Sequence, residues 1–162
     1  MTQEEFIEVL KKRNFPYKIK GDKLVVTFGG DVYLQDLTSL PPGVEFRNGT
    51  HVYLRSLTSL PPGAVFNNKG NVHLDSLTSL PPDVEFKNTG YVEKYIGFTA
   101  GNVYLESLTS LPPGLVFKNG KDVNLNSLIG GWFGGWKGNI KGIDSKRLLN
   151  TMISKGMFDR RR

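Results

Sequence analysis

The stretch VYLRSLTSLPPGAVFNN at residues 52–68 decides the fold, because close copies of it occur four times in the chain. The other copies are VYLQDLTSLPPGVEFRN from Val32, VHLDSLTSLPPDVEFKN from Val72 and VYLESLTSLPPGLVFKN from Val103. The first three copies start 20 residues apart. A fixed short period is typical of stacked coils, none of which can bury its apolar face alone.

Each copy contains two segments with the alternation of a half-buried strand, which in residues 52–68 are Val52-x-Leu54 and Ala64-x-Phe66. The Pro-Pro-Gly at 61–63 predicts a corner, since proline lacks an amide donor and glycine permits the turn. A second corner carries an asparagine in every copy, which we expect to tolerate positive φ and to bond its stacked copy in the next coil: Asn48, Asn68, Asn88 and Asn119. The pattern predicts a mainly β fold, a β-solenoid of about five coils whose parallel strands lie about 4.8 Å apart.

The length of 162 residues predicts a single solenoid domain. Thr2 and Glu5 form a capping-box pattern before an apolar stripe, which predicts a helix near residues 3–13. A second helix is predicted near 145–155, and we expect both helices to cap the open ends of the solenoid. The predicted segments are an N-terminal helical cap at 1–23, coils at 24–128 with an insertion at 91–101, and a Gly/Trp segment with a C-terminal helical cap at 129–162.

Composition narrows the classes of function. Cysteine is absent, which excludes disulfides and thiolate chemistry, and no apolar run is long enough to span a membrane. The charged N-terminus does not resemble a secretory signal. The net charge of +6 is uneven, with +2 in residues 1–23, −2 in residues 24–128 and +6 in residues 129–162. Because phosphate binding needs clustered Lys and Arg, the coils themselves are poor candidates for binding nucleic acid.

The period fails once, where YVEKYIGFTAG at residues 91–101 separates the third copy from the fourth. An insertion in a solenoid usually bulges from one face, often the binding face. Tyr91, Tyr95 and Phe98 are therefore candidate protein-binding residues. The alternative is a degenerate short coil whose aromatic side chains fill the core.

Stacking also places equivalent residues in columns. The outward position between the Val and Leu of each first strand is mostly aromatic, and its members are further candidate protein-binding residues: Tyr33, Tyr53, His73 and Tyr104. Tyrosine combines a rigid apolar ring with a polar tip, which suits a protein partner or a glycan. The alternative is that tyrosine occurs here for its strand propensity and for stacking on its neighbours.

The C-terminal segment supports a different class of function, nucleic-acid binding. Its basic residues are Lys137, Lys141, Lys146, Arg147, Lys155, Arg160, Arg161 and Arg162. Trp132 and Trp136 stand among glycines beside lysines and could stack on bases or on a sugar. The alternative role of this tryptophan segment is to plug the open end of the solenoid.

Catalysis has little support in the sequence. His51 and His73 fall in different columns, and no metal-ligand spacing occurs. Glu45 and Glu85 share a column with Val65 between them, at a separation near that of inverting glycosidases, about 9–10 Å. We interpret both as solvated strand charges on a flat outer face. The sequence predicts no enzyme activity, no cofactor and no metal.

The LTSLPPGVEF unit, the Asn-Gly corners and the closing GNIKGIDSKRLLNTMISKGMFD resemble uncharacterised proteins of tailed bacterial viruses and mobile elements with tandem LTSLPxGVxF repeats. The unit is also similar to short bacterial leucine-rich repeats, although it lacks their LxxLxLxxN order. The resemblance covers about residues 24–128 and the last helix, and it carries no catalytic residues. It implies a phage-type origin and a location in the cytoplasm of an infected bacterium.

Taken together, these features favour a non-enzymatic phage-type protein that binds a host or viral protein, for example as an inhibitor of a bacterial defence complex. Two alternatives stay open: nucleic-acid binding through the basic C-terminal segment, and a structural or glycan-binding part of a virion. The sequence indicates no membrane association and leaves the oligomeric state undetermined.

Overall fold

The computed structural model describes residues 1–90, 101–109, 112, 117–129 and 132–133. Within them the elements follow in the order α1 (Gln3–Lys12), β1 (Tyr17–Lys20), β2 (Lys23–Val26), β3 (Val32–Tyr33), β4 (Val44–Phe46), β5 (Val52–Tyr53), β6 (Val65–Phe66), β7 (Val72–His73), β8 (Glu85–Phe86), β9 (Val103–Tyr104), β10 (Val123–Asn124), α2 (Asn126–Ile129) and β11 (Trp132–Phe133).

The strands form two sheets that enclose one core. Sheet A has the order β1-β2-β4-β6-β8, and sheet B the order β11-β10-β9-β7-β5-β3. Neighbours from successive coils pair in parallel, so that Val52 lies opposite both Val32 and Val72. The fold is therefore a β-solenoid, as the repeat predicts, with about four turns against the predicted number of about five. Five strands of sheet B pair in parallel, namely β3, β5, β7, β9 and β10.

The core consists of columns of identical or similar side chains, one member from each coil. The most regular column is a stack of phenylalanines on sheet A: Phe46, Phe66, Phe86 and Phe117, with ring centroids 5.2–5.5 Å apart. Leucines and valines of the repeat fill the remaining inward positions and are buried. Burial of equivalent residues in every coil explains why the sequence period is so strict.

Helix α1 closes the N-terminal end of the solenoid. It begins with the predicted capping box, in which the Glu5 N–H donates to Thr2 Oγ1 at 3.2 Å and the Thr2 N–H donates to Glu5 Oε2 at 2.8 Å. Phe6 and Leu10 are fully buried in the common core. The helix ends at Lys12, one residue before the predicted boundary, because Arg13 takes the C-cap conformation.

Arg13 fixes this helix to the first coil. Its guanidinium donates to both carboxylate oxygens of Asp36, at 2.8 and 2.5 Å, and to the backbone carbonyl of Tyr33 at 2.9 Å. Tyr33 belongs to β3, the edge strand of sheet B at this end. The same side chain thus anchors the cap and satisfies a carbonyl at the sheet edge.

Residues 1–23, predicted as an N-terminal helical cap, contain a strand as well as the helix. β1 lies within this range and forms an antiparallel hairpin with β2 through the turn Gly21–Asp22, where Gly21 has φ +63°. Residues 24–30 do begin the first coil as predicted, since β2 pairs in parallel with β4. Alternating residues in YKIK and the Gly-Asp dipeptide are the sequence signals of this hairpin.

The other end of the solenoid is closed in a similar way. β11 pairs antiparallel with β10, with Trp132 opposite Asn124 and Phe133 opposite Val123. This backbone pairing is what a segment that closes the last coil would provide. The helix predicted near 145–155 lies outside the described residues.

Candidate functional site

The predicted aromatic column forms a continuous stack on the outer face of sheet B. Successive ring centroids from Tyr33 to Tyr53, His73 and Tyr104 are 4.8, 4.7 and 4.3 Å apart, and neighbouring planes are within 9° of parallel. The parallel register of β3, β5, β7 and β9 produces this spacing, since it brings equivalent residues of successive coils side by side. We call these four residues the ring ladder.

Stacking determines which parts of the rings a ligand can reach. The faces of Tyr53 and His73 are covered by the rings on either side, so a ligand could reach only the edges of these two rings. Exposure is largest at the N-terminal end, where Tyr33 is 50% exposed, whereas His73 is only 9% exposed. A sugar or a base needs a free ring face on which to stack, and a protein surface can pack against ring edges. The inner rings of the ladder therefore suit contact with a protein better than stacking with a glycan.

His73 is the buried member of the ladder. Burial, with smaller contributions from the charges of Arg55 and His51, lowers the pKa of His73 to about 4. The imidazole is consequently neutral at physiological pH, and it lies stacked between the rings of Tyr53 and Tyr104. Its contribution to a contact surface is small compared with that of Tyr33.

Charged residues border the ladder on one side. Arg55 lies beside the Tyr53 ring, with Cζ 5.4 Å from the ring centroid, and forms an ion pair with Asp75, Nε to Oδ2, at 3.4 Å. Burial raises the pKa of the Asp75 carboxyl, although Arg55 acts in the opposite direction. In the last coil Asn124 donates to Glu106 at 2.9 Å. The ladder is thus flanked by polar groups that are largely paired with one another.

The column on the other side of the ladder is a series of hydrogen-bond acceptors that sequence reasoning missed. In each case a side chain accepts a hydrogen bond from the backbone N–H of the equivalent residue one coil further on. Asp31 accepts from His51 at 3.1 Å, His51 Nδ1 from Asn71 at 2.9 Å, Asn71 from Asn102 at 2.9 Å and Asn102 from Asp122 at 3.1 Å. The signal in the sequence was the restriction of these positions to Asp, His and Asn, which all offer an acceptor.

The first member of this acceptor column also holds the exposed end of the ladder. The Tyr33 hydroxyl donates to Asp31 Oδ2 at 2.8 Å, and Thr50 donates to Oδ1 of the same carboxylate. Burial alone would raise the pKa of Asp31, but the hydrogen bonds from Thr50, His51 and Tyr33 lower it below its usual value. The Tyr33 ring is therefore fixed in orientation even though it is half exposed.

The corner asparagines do not behave as predicted. Positive φ outside glycine occurs at Asn14 (57°) in the described chain, and the corner asparagines do not share it. Their side-chain amides donate to backbone carbonyls of their own corner or the preceding one, as Asn68 does to Thr50 at 2.9 Å and to Gly70 at 3.1 Å. The stacked amides are not bonded to one another in the described structure, because the Oδ1 atoms of Asn48, Asn68, Asn88 and Asn119 have no partner.

The predicted carboxylate pair on sheet A requires a correction. The register does place Glu45 and Glu85 on either side of Val65. However, Glu45 is only 5% exposed and forms an ion pair with Arg47, so it is not a solvated surface charge. Glu85 is exposed and paired with Lys87, and the hydrogen bond from Lys87 lowers the pKa of Glu85. Each carboxylate is thus paired with a neighbouring cation, and this arrangement gives no support to acid–base catalysis by the two residues.

Several predicted site residues lie outside the described residues. These are the insertion residues Tyr91, Tyr95 and Phe98, and the basic C-terminal residues Lys137, Lys141, Lys146, Arg147, Lys155, Arg160, Arg161 and Arg162. The two roles assigned to them remain predictions. Within the described ranges no cluster of three or more His, Asp or Glu side chains could hold a metal ion. No helix of that part of the chain is long and apolar enough to cross a membrane.

Comparison with known proteins does not assign the chain to a family. The chain matches no protein-family model, no curated protein and no solved structure. The resemblance to phage proteins with LTSLPxGVxF repeats therefore stays a prediction from the repeat unit.

Proposed function

We propose that this protein is a non-enzymatic binding module that recognises another protein through the outer face of sheet B. The observation that carries the proposal is the ring ladder, a row of stacked aromatic rings held at fixed spacing by the coils. Aromatic residues of this kind supply a large contact area at low entropic cost, because their orientation is set before binding. The contact centres on Tyr33, Tyr53 and Tyr104.

The partner class follows from what the ladder leaves accessible. Ring faces inside the ladder are occupied, which disfavours glycan stacking, and the flanking column contains carboxylates, which disfavours phosphate. A flat protein surface with complementary polar groups requires neither a free ring face nor a cluster of positive charges. The finer suggestion that the partner belongs to a bacterial defence system comes only from the resemblance of the repeat, and it is part of the same proposal.

The test compares partner recovery by three forms of the tagged chain from a nuclease-treated bacterial lysate. The ladder variant carries Tyr33→Thr, Tyr53→Thr and Tyr104→Thr, because threonine retains strand propensity while it removes the rings. The control variant, Asn67→Ala, changes an exposed residue beside sheet A. Circular dichroism would first establish that all three chains are folded.

A discrete protein recovered by the native chain and by Asn67→Ala, but not by the ladder variant, would support the proposal. Recovery of the same protein by the ladder variant would overturn it. Failure of the native chain to recover any protein from this lysate would also overturn it, and recovery of nucleic acid alone from a parallel lysate without nuclease would favour the basic C-terminal segment instead.

A further inference from the structure

The edge of sheet A formed by β1 is a second exposed feature of the fold, on the sheet opposite the ring ladder. β1 is the terminal strand of sheet A, and in the described chain no strand pairs with its outer side. Lys18, Ile19 and Lys20 are exposed, and Ile19 at 58% is the most exposed of the large hydrophobic residues in the described chain. An open edge strand presents unpaired N–H and C=O groups, which form a template for pairing with another strand.

The hydrogen-bond register shows which backbone groups of this edge are available. Thr27 donates to the carbonyl of Pro16 at 2.9 Å, and Lys18 lies directly opposite Val25. Because hydrogen-bonded and non-bonded pairs alternate in an antiparallel ladder, the backbone of Lys18 points toward β2. The N–H and C=O groups of Tyr17 and Ile19 therefore point outward, where an added strand could pair with them.

The positive charge of the β1 edge determines which kind of added strand it would attract. Lys18 and Lys20 project from the same face of β1, and Lys23 lies opposite Lys20 in β2. No ion pair joins these three lysines to a carboxylate within the described residues. A second copy of this edge would set lysines against lysines, which is destabilising, whereas alternating acidic residues would be attracted.

We propose that the β1 edge binds an extended acidic segment of a partner protein by strand addition. The segment alternates carboxylates, which face Lys18 and Lys20, with β-branched residues that cover Ile19. Backbone pairing at Tyr17 and Ile19 supplies the register, and the lysines supply the preference for acidic sequences. This surface is separate from the ring ladder, so the inference does not depend on the proposed function.

The probe is a fluorescein-labelled peptide of alternating glutamate and valine, with a lysine–valine peptide as its matched counterpart. Binding to the full chain is followed by fluorescence anisotropy. The key variant is Ile19→Pro, which removes the outward N–H, and a proline is tolerated at a strand edge where that N–H faces solvent. The control is Ile19→Thr, which retains both the N–H and a β-branched side chain.

We expect saturable binding of the glutamate–valine peptide alone, unchanged within about threefold in Ile19→Thr and weakened about tenfold or more in Ile19→Pro. Reversal of the charges in a Lys18→Glu, Lys20→Glu double variant should transfer the preference to the lysine–valine peptide. Equal affinity of the native chain and Ile19→Pro for the peptide, or absence of saturable binding, would overturn the proposal. Equal competition by oligo(dT) would also overturn it, because charge alone would then explain binding.

Hydrogen exchange on the native chain gives a second measurement that does not depend on any variant. The amides of Tyr17 and Ile19 should exchange rapidly in the free protein and become protected when the glutamate–valine peptide is added. The Lys18 amide, which faces β2, should be protected in both states. Protection unchanged at Tyr17 and Ile19 under saturating peptide would contradict strand addition.

Discussion

His51 Nδ1 accepts a hydrogen bond at 2.9 Å from the backbone N–H of Asn71, its counterpart one coil further along the solenoid. The bond requires Nδ1 to carry no proton, so the imidazole is present as the Nε2–H tautomer. The His51 side chain thus supplies the hydrogen-bond acceptor for a backbone N–H of the next coil. The acceptor column is consequently part of what holds the coils in register.

Replacement of His51 should test this role directly. His51→Val leaves the Asn71 N–H without its acceptor, and we expect the free energy of unfolding to fall by about 1–3 kcal/mol. His51→Asn should lower the free energy of unfolding much less. In the next coil the equivalent residue is Asn71, and its side chain accepts the corresponding hydrogen bond from the Asn102 N–H. Urea unfolding of both variants measures the difference. Equal destabilisation by the two substitutions would show that the acceptor is unimportant.

A second prediction concerns the dependence of stability on pH. The folded pKa of His73 is about 4, whereas the unfolded value is near 6.5. Between these values the unfolded chain binds more protons, so the unfolding free energy should fall as pH decreases from about 6.5 to about 4, by at most about 1.4 kcal/mol per pH unit. Above this window His73 should contribute no pH dependence.

His73→Tyr is the matched variant for this measurement, since tyrosine fills the same position in three other coils. It should retain the ring ladder and lose most of the pH dependence between 6.5 and 4. Asp75 titrates with the opposite sign because its folded pKa is raised, and it is common to both proteins. An unchanged pH profile in His73→Tyr would assign the effect to other groups.

The contact between the helical cap and the first coil gives a third prediction. The Arg13 and Asp36 side chains are partly exposed, so their coupling in a double-mutant cycle should be about 0.5–1 kcal/mol and should decrease at high salt. Arg13→Lys should lose most of it, because an ammonium group cannot donate to both carboxylate oxygens and to the Tyr33 carbonyl in the same fork. Full retention in Arg13→Lys would indicate a simple charge effect.

The fourth prediction uses two glycines that occupy equivalent corners. A Cβ added at Gly49 would lie 2.0 Å from the backbone oxygen of Gly29, whereas a Cβ at Gly29 would meet nothing within 4 Å. Gly49→Ala should therefore destabilise the chain by about 2 kcal/mol, and Gly29→Ala should stay within about 0.5 kcal/mol of the native value. Thermal unfolding of the two single variants compares them, and similar losses would refute the steric explanation.

Some elements could be read from the sequence because they depend on local or periodic information. The capping box of Thr2 and Glu5 and the equivalence of Val32, Val52 and Val72 are of this kind. The hairpin of β1 was missed since four strand residues carry a weak signal beside a strong helix, although Gly21–Asp22 is a recognisable turn. The burial of Glu45 could not be inferred, because alternation along a strand predicts only the face on which a residue lies.

The sequence by itself determined the architecture of this protein, because a 20-residue period leaves stacked coils as the way to bury every apolar face at once. It also identified the ring ladder as a column. Only the tertiary structure decided what that column can do: the coil spacing brings the rings into face contact, which covers His73 and leaves ring edges accessible. The open edge of β1 is likewise a tertiary property, since exposure depends on what packs nearby rather than on the residues alone.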